Sequence, residues 1–180
     1  MRRKGDFLIR KAQDKDLDVV AEIYSHIHDF EEAGKVEIGW DRAIYPTRNT
    51  AQDALERGDL FVLEDDQSKV VATAIINDKQ LAAYAQGNWE YAAKDDEVMV
   101  LHTLVVDPYA AHRGYGKAFV AFYEDYARKA AARFLRMDTN AHNKNARAMY
   151  KKLGYKEIGI VPCEFNGLKD VPLVLLEKKL

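Results

Sequence analysis

The chain has a single cysteine, Cys163, in 180 residues. That excludes an intrachain disulfide and a cysteine-rich metal centre, and makes a reducing cytoplasm the simplest home. Charge of one sign is equally scarce: 27 Lys and Arg stand against 29 Asp and Glu, a net charge of -2. Nucleic-acid-binding domains usually carry a marked basic excess, so no nucleic acid is expected as partner. No apolar run approaches the length that spans a bilayer, and the basic start M-R-R-K-G-D is followed by no long apolar segment. Neither a membrane partner nor a signal peptide is therefore expected. Linkers, low-complexity tracts and internal repeats are lacking, as is the G-x-x-x-x-G-K-[ST] signature of nucleotide phosphate binding. His26 and His28 are not at the i, i+4 spacing of a helical metal pair and have no third ligand in view, so no metal is expected. What is present is ordinary for a globular protein: 48% apolar and 31% charged residues. This is enough chain for one domain over residues 1–180 with a substantial core.

Periodicity predicts a strand at 7–11, then a helix capped by Asp14 with Leu17, Val20, Ile23, Tyr24 and Ile27 on one face. The pattern breaks over 30–46 and resumes in a helix from near Thr47 to Gly58. Residues 60–64 and 70–77 read as a hairpin across D-D-Q-S. A long loop at 79–96 carries Tyr84, Trp89 and Tyr91. A central strand from Glu97, a helix, a strand at 134–139 and a short helix after Asn143 follow. The last two strands, 155–163 and 171–177, flank an Asn166-Gly167 turn. The order β-α-α-β-β-β-α-β-α-β-β predicts an α/β fold, a single-domain mixed sheet of about six to seven strands with helices on both faces.

The most informative stretch is 106–117, V-D-P-Y-A-A-H-R-G-Y-G-K, between an apolar strand and a helix. Gly114 and Gly116 let the backbone turn tightly enough for consecutive N–H groups to face one anion. The helix start adds its positive dipole end, and Arg113 and Lys117 add full charges. Alone, this segment is also compatible with an ordinary turn. A second segment, N-K-N-A-R-A-M-Y-K-K-L-G-Y at 143–155, reads as a short helix closed by Gly154.

Together the two segments resemble the GNAT superfamily of acyl-CoA-dependent N-acyltransferases. The first is similar to that family's pyrophosphate turn; Asn143, Ala146, Tyr150, Gly154 and Tyr155 fall on positions of its later element. The element order is similar to the family's throughout. One departure stands out: Ala111 occupies the place of the usual Arg or Gln, so coenzyme affinity rests on backbone amides with help from Arg113 and His112. The resemblance implies acetyl-CoA as co-substrate, held by the backbone of Leu104, Val105 and Val106 and by His112, Arg113, Gly114, Tyr115, Gly116 and Lys117. Asn143 is expected to cap its helix or touch the coenzyme. Tyr150 falls on the position of the general acid near the coenzyme sulfur; packing on an amphipathic helix is its other reading.

The implied activity is acetyl transfer to a primary amine of a small molecule or peptide by direct attack. A non-catalytic acyl-CoA-binding sensor is the alternative. For the general base, Glu97 and His102 are the candidates on the central strand, with Glu64 and Asp66 nearby. Alternation keeps Glu97 and His102 on opposite faces unless a bulge intervenes. His102 has the pKa range for the task, yet a histidine in so apolar a strand is often a hydrogen-bonded core residue. Acceptor choice is expected in the first half and the long loop, among Tyr24, His26, His28, Asp29, Phe30, Glu31, Glu32, Trp40, Asp41, Tyr45, Trp89, Glu90 and Tyr91. Acidic and aromatic groups there would suit a cationic amine, although filling the core is the better reading for most of the aromatics. Homodimer formation is left open.

Overall fold

The structure, a computed structural model, describes residues 5–165 and 168–180. Its strands are β1 (Leu8–Lys11), β2 (Leu60–Glu64), β3 (Val70–Asn77), β4 (Val98–Val106), β5 (Phe134–Asn140), β6 (Lys156–Phe165) and β7 (Leu168–Lys179). They form one mixed seven-stranded sheet in the order β1-β2-β3-β4-β5-β7-β6. β4 and β5 are parallel, while β1–β2, β2–β3, β5–β7 and β6–β7 are antiparallel. The helices are α1 (Leu17–Glu32), α2 (Arg48–Arg57), α3 (Tyr115–Lys129) and α4 (Lys144–Lys152). No described helix is long and apolar enough to cross a membrane. The chain divides into two compact units. One holds residues up to Lys35, Trp40–Ile76 and Thr103–Phe122; the other holds Val36–Gly39, Asn77–His102 and Tyr123–Leu180.

In the first unit, α1 buries Leu17, Val20, Ile23 and Tyr24, the face that its periodicity marks. Asp14 does not cap it: residues 14–16 form a separate 3-10 turn, opened by Gln13, and α1 starts after Asp16. α2 begins at Thr47, whose hydroxyl accepts from the Thr50 amide, and stops at Gly58 with φ +75, a left-handed position that favours glycine. Leu60 and Val62 of β2 join the α1 and α2 side chains in one core cluster with Val70, Ile75 and Val105. The intervening Phe61 points to the opposite face and meets Phe122 of α3, ring centroids 5.5 Å apart. Helices therefore cover both faces of this part of the sheet. Each such aliphatic side chain contributes roughly 1.5–3 kcal/mol by leaving water.

A charged network closes the edge of this unit. The Arg10 guanidinium donates to both Asp16 oxygens, at 2.6 and 3.0 Å, and to Glu64 at 2.8 Å. Asp16 is 4% exposed, and the Arg10 bonds hold its carboxyl below the usual range against the opposing effect of burial. A depressed folded pKa stabilises the fold above the unfolded value near ~4 and is lost as pH falls through the folded pKa. Asp16→Asn should therefore cost about 1–3 kcal/mol at pH 7. In thermal melts the gap between wild type and variant should narrow as the pH falls below about 4. A gap independent of pH would show that the charge is not what stabilises this edge.

The second unit is built on β5, β6, β7 and the first half of β4. One core cluster gathers Val98, Val100, Phe134, Val161, Cys163, Leu173 and Leu175, covered by Tyr84, Trp89 and Tyr91. The stretch read as a loop at 79–96 thus contains 3-10 turns at Ala82–Gln86 and Asp95–Glu97, and its aromatics fill the core. Trp89 donates to the Tyr84 carbonyl at 2.7 Å, and Tyr91 stacks on Phe134 at 5.3 Å. β6 and β7 run longer than the hydrophobic pattern alone suggests. The Asn166-Gly167 turn lies outside the described residues.

Candidate active site

β4 organises the first half of the site. Its parallel ladder with β5 runs from Val98↔Phe134 to Leu101↔Met137, although both strands continue beyond. Two residues past the ladder's end, Thr103 has φ +49. A β-branched residue in left-handed conformation costs about 1–3 kcal/mol and persists only where the surroundings impose it. Here the Thr103 hydroxyl is hydrogen-bonded to the Tyr45 hydroxyl. From this point the strand alternates: Leu104 and Val106 are half-buried, while Val105 is 2% exposed and packs in the first unit's core.

The strand ends in a charged, amide-rich turn. Asp107 accepts from the Tyr109 amide at 3.0 Å and caps the 3-10 turn Pro108–Ala110. His112 (φ +66) and Gly114 (φ +80) are both left-handed, with Arg113 between them. Such alternation turns successive amides toward one side, the geometry of an anion nest. The first backbone bond of α3 runs from Ala118 to the Gly114 carbonyl at 3.0 Å. The amides of Tyr115, Gly116 and Lys117 therefore have no intrahelical acceptor, and they sit at the positive end of the helix dipole. His112, Arg113 and Lys117 are exposed beside them. The neighbouring Tyr115 side chain holds the Arg113 pKa above the usual value. A β-carbon added at Gly114 would meet no atom within 4 Å, so the turn faces open space.

That geometry predicts the effect of Gly114→Val. A valine at φ +80 costs about 1–2 kcal/mol, and its methyls would project into the space offered to an anion. Coenzyme A affinity by calorimetry should fall at least about tenfold, with the fold retained by circular dichroism. Unchanged affinity would remove this turn as the phosphate site.

The second unit holds the other predicted residues. Asn143 caps α4, its Oδ1 accepting from the Ala146 amide at 3.1 Å. Tyr150 is 6% exposed, with its ring 6.0 Å from that of Tyr155 in an edge arrangement. Among the described residues no hydrogen bond engages its hydroxyl. Burial raises its phenol pKa above the ordinary value, and the charge of Asp138 adds to the effect.

Of the two base candidates, His102 lies on β4 as the sequence suggests, whereas Glu97 does not. Glu97 lies in the 3-10 turn before β4. Its carboxylate accepts from the Lys94 amide at 3.1 Å and from Arg133 at 2.9 Å, which hold its pKa down. His102 Nε2 lies 3.1 Å from Asn77 Oδ1, which also accepts from the Lys79 amide at 2.9 Å. An oxygen accepting both bonds makes Nε2 the donor.

Asp138 escaped the sequence reading. It sits on β5 just past the last residue paired with β4 and is half-buried. Tyr84 donates to its Oδ2 at 2.7 Å. Burial pushes its carboxyl pKa up to about 6, against the lowering effect of that bond. The available signal was F-L-R-M-D-T-N itself. Two charges at i, i+2 in an otherwise apolar strand share one face, and buried charges need partners or a task.

A central strand that leaves its neighbour and runs into an amide-lined helix start is the architecture of acyl-CoA N-acyltransferases. The chain belongs to the Acetyltransferase (GNAT) family, whose model matches residues 21–155. It is 26% identical over 156 residues to an uncharacterized N-acetyltransferase of Methanocaldococcus jannaschii, aligning 86% of itself with 63% of that protein. Over 60 residues it is 35% identical to the uncharacterized N-acetyltransferase YhfO of Bacillus subtilis, covering 33% of itself and 40% of YhfO. The chain thus spans less than two thirds of the length of either relative. A GNAT-family acetyltransferase structure from Streptococcus agalactiae superposes with a TM-score of 0.80 at 19% identity, covering 100% of this chain and 99% of the other. The structure of yncA from Salmonella typhimurium with its cofactor acetyl-CoA gives 0.68 at 17% identity, covering 97% and 94%. These two likenesses concern the fold.

Proposed function

We propose that this protein is an acetyl-CoA-dependent N-acetyltransferase that acts on a primary amine of a small molecule or peptide. The observation that carries the reading is the sequence of features along one segment. The β4–β5 ladder ends at Leu101, Thr103 turns left-handed, and the strand then enters the nest at His112–Gly114 and the free amides of α3. Acetyl-CoA supplies the acetyl thioester. The residues present fit it: three helix-start amides, open space at Gly114 and the cations of Arg113 and Lys117 suit a pyrophosphate despite Ala111.

Leu104 and Val106 offer strand backbone groups to the pantetheine amides, and Val105 anchors that strand in the core. His112, Arg113, Gly114, Tyr115, Gly116 and Lys117 cradle the phosphates. Asn143 serves the helix start, since its side-chain oxygen is already committed to Ala146. Tyr150 stays protonated at neutral pH and donates its proton to the departing thiolate. Glu97 is assigned to holding the start of β4. His102 orders Asn77. A cytoplasmic location goes with this reading and rests on the lone Cys163.

The test is thiol release from acetyl-CoA against pools of polyamines, amino acids, aminosugars, aminoglycosides and short peptides, alongside calorimetric coenzyme binding. Release that depends on one pool supports the enzyme and names the acceptor class. Binding without release from any pool would replace this reading with that of an acyl-CoA sensor.

A further inference from the structure

We infer that Asp138 is the general base that takes the proton from the acceptor amine. The inference rests on the acetyltransferase reading above. Three observations within the second unit support it. Asp138 lies on β5 directly after Met137, the last residue of that strand paired with β4. Its Oδ2 is fixed by the Tyr84 hydroxyl at 2.7 Å, while Oδ1 has no hydrogen-bond partner among the described residues. The segment linking α1 and α2, where acceptor choice is expected, reaches the same strand. A side chain at Gly39 would drive its β-carbon into the amide of Asn140, the next same-face residue after Asp138.

The electrostatic surroundings suit proton acceptance. Tyr84 from the 3-10 turn, Tyr150 from α4 and Cys163 from β6 all feel the Asp138 charge. On β7 its register partner is the apolar Leu175. Arg136, on the same face of β5, does not neutralise it: that guanidinium donates to Gln80 at 2.8 Å and to the Tyr91 carbonyl at 3.0 Å, and faces Glu177. A carboxylate held by one neutral phenol keeps its basicity.

The proton balance closes. An acceptor ammonium gives one proton to Oδ1 of Asp138, and the freed nitrogen lone pair forms the N–C bond with the acetyl carbon. The C–S bond breaks with its electron pair on sulfur, which takes the Tyr150 hydroxyl proton. The second amine proton restores Tyr150, and Asp138 releases its own to solvent. One proton is released per amide formed.

The experiment compares wild type, Asp138→Asn, Asp138→Glu and Tyr84→Phe in thiol release from acetyl-CoA as a function of pH. It uses the acceptor that the pools identify, or water as nucleophile if none does. Coenzyme A affinity is measured by calorimetry on the same preparations. Wild-type kcat should fall as pH drops through about 6. Asp138→Asn should lose about 100-fold in kcat together with that inflection, at unchanged coenzyme affinity, and Asp138→Glu should recover part of the rate. Tyr84→Phe removes the bond that lowers the carboxyl pKa, so the inflection should move to higher pH. This variant remains informative if Asp138→Asn does not fold. An active wild type whose rate and inflection survive in Asp138→Asn, or an inflection unmoved in Tyr84→Phe, overturns this assignment alone. A wild type that binds coenzyme A yet releases no thiol, even to water, overturns the enzyme reading and this assignment with it.

Discussion

Glu177→Ala is expected to lower the melting temperature by roughly 10 °C, the equivalent of about 3–5 kcal/mol for a chain of this size. Glu177 is 2% exposed and Arg136 is 5% exposed. Their closest approach is 3.6 Å, an ion pair too long for a hydrogen bond. The pair is embedded in a wider set of bonds. Glu177 Oε2 accepts from the Glu90 amide at 2.9 Å, and the Arg136 guanidinium lies 4.0 Å over the Trp89 ring. Arg136 also binds Gln80 and the Tyr91 carbonyl, so one buried cation ties the segment 80–91 to the sheet.

Removing the carboxylate leaves that cation buried without its counter-charge, and burial already lowers the Arg136 pKa. Desolvating both charges is itself costly, so the pair need not stabilise the fold relative to an apolar pair. The double variant Arg136→Met, Glu177→Leu should therefore be more stable than Glu177→Ala. Calorimetric unfolding of both variants checks this. A Glu177→Ala protein that melts within a degree or two of wild type would show that the cation finds water or another partner.

Much of the architecture was legible because burial leaves a periodic trace. The α1 face, the Thr47 and Gly58 helix limits and the β2–β3 hairpin all follow from residue spacing and local capping chemistry. The turn between β4 and α3 was legible for a similar reason. Glycines, a strand before and a helix after are local features, and so is the N-cap at Asn143. What escaped depends on contacts distant in sequence. Nothing local in L-H-T-L announces that Thr103 is left-handed, since Tyr45 lies 58 positions away. Asp138 looked like one polar residue in a strand until Tyr84, 54 positions earlier, was found on its carboxylate. Glu97 reads from the sequence as the first residue of the central strand, and its ion-pair partner Arg133 lies 36 positions away. For the aromatics at 84–91 core filling was the better reading, and it is what the structure has. The buried Arg136 of β5 lies over Trp89 and donates to the Tyr91 carbonyl, contacts distant in sequence.

Tyr150→Phe should lower kcat by about 100- to 1000-fold while leaving coenzyme A affinity within about twofold of wild type. The phenol is buried, and both burial and the Asp138 charge favour its neutral form. A group that must donate a proton works only while protonated, so its loss would appear as a fall in rate with rising pH. A phenol raised above its ordinary pKa near ~10 places that fall beyond the usual working range. The wild-type profile should therefore show the acidic limb set by Asp138 and then a plateau. Phenylalanine keeps the ring and its edge contact with Tyr155, so packing is largely preserved and a lost rate cannot be charged to misfolding. If packing were the only role of Tyr150, Tyr150→Phe would turn over like wild type. The distinction is sharpest with Asp138→Asn as comparison. Loss of the base removes the acidic limb, whereas loss of the acid lowers the plateau and leaves that limb in place.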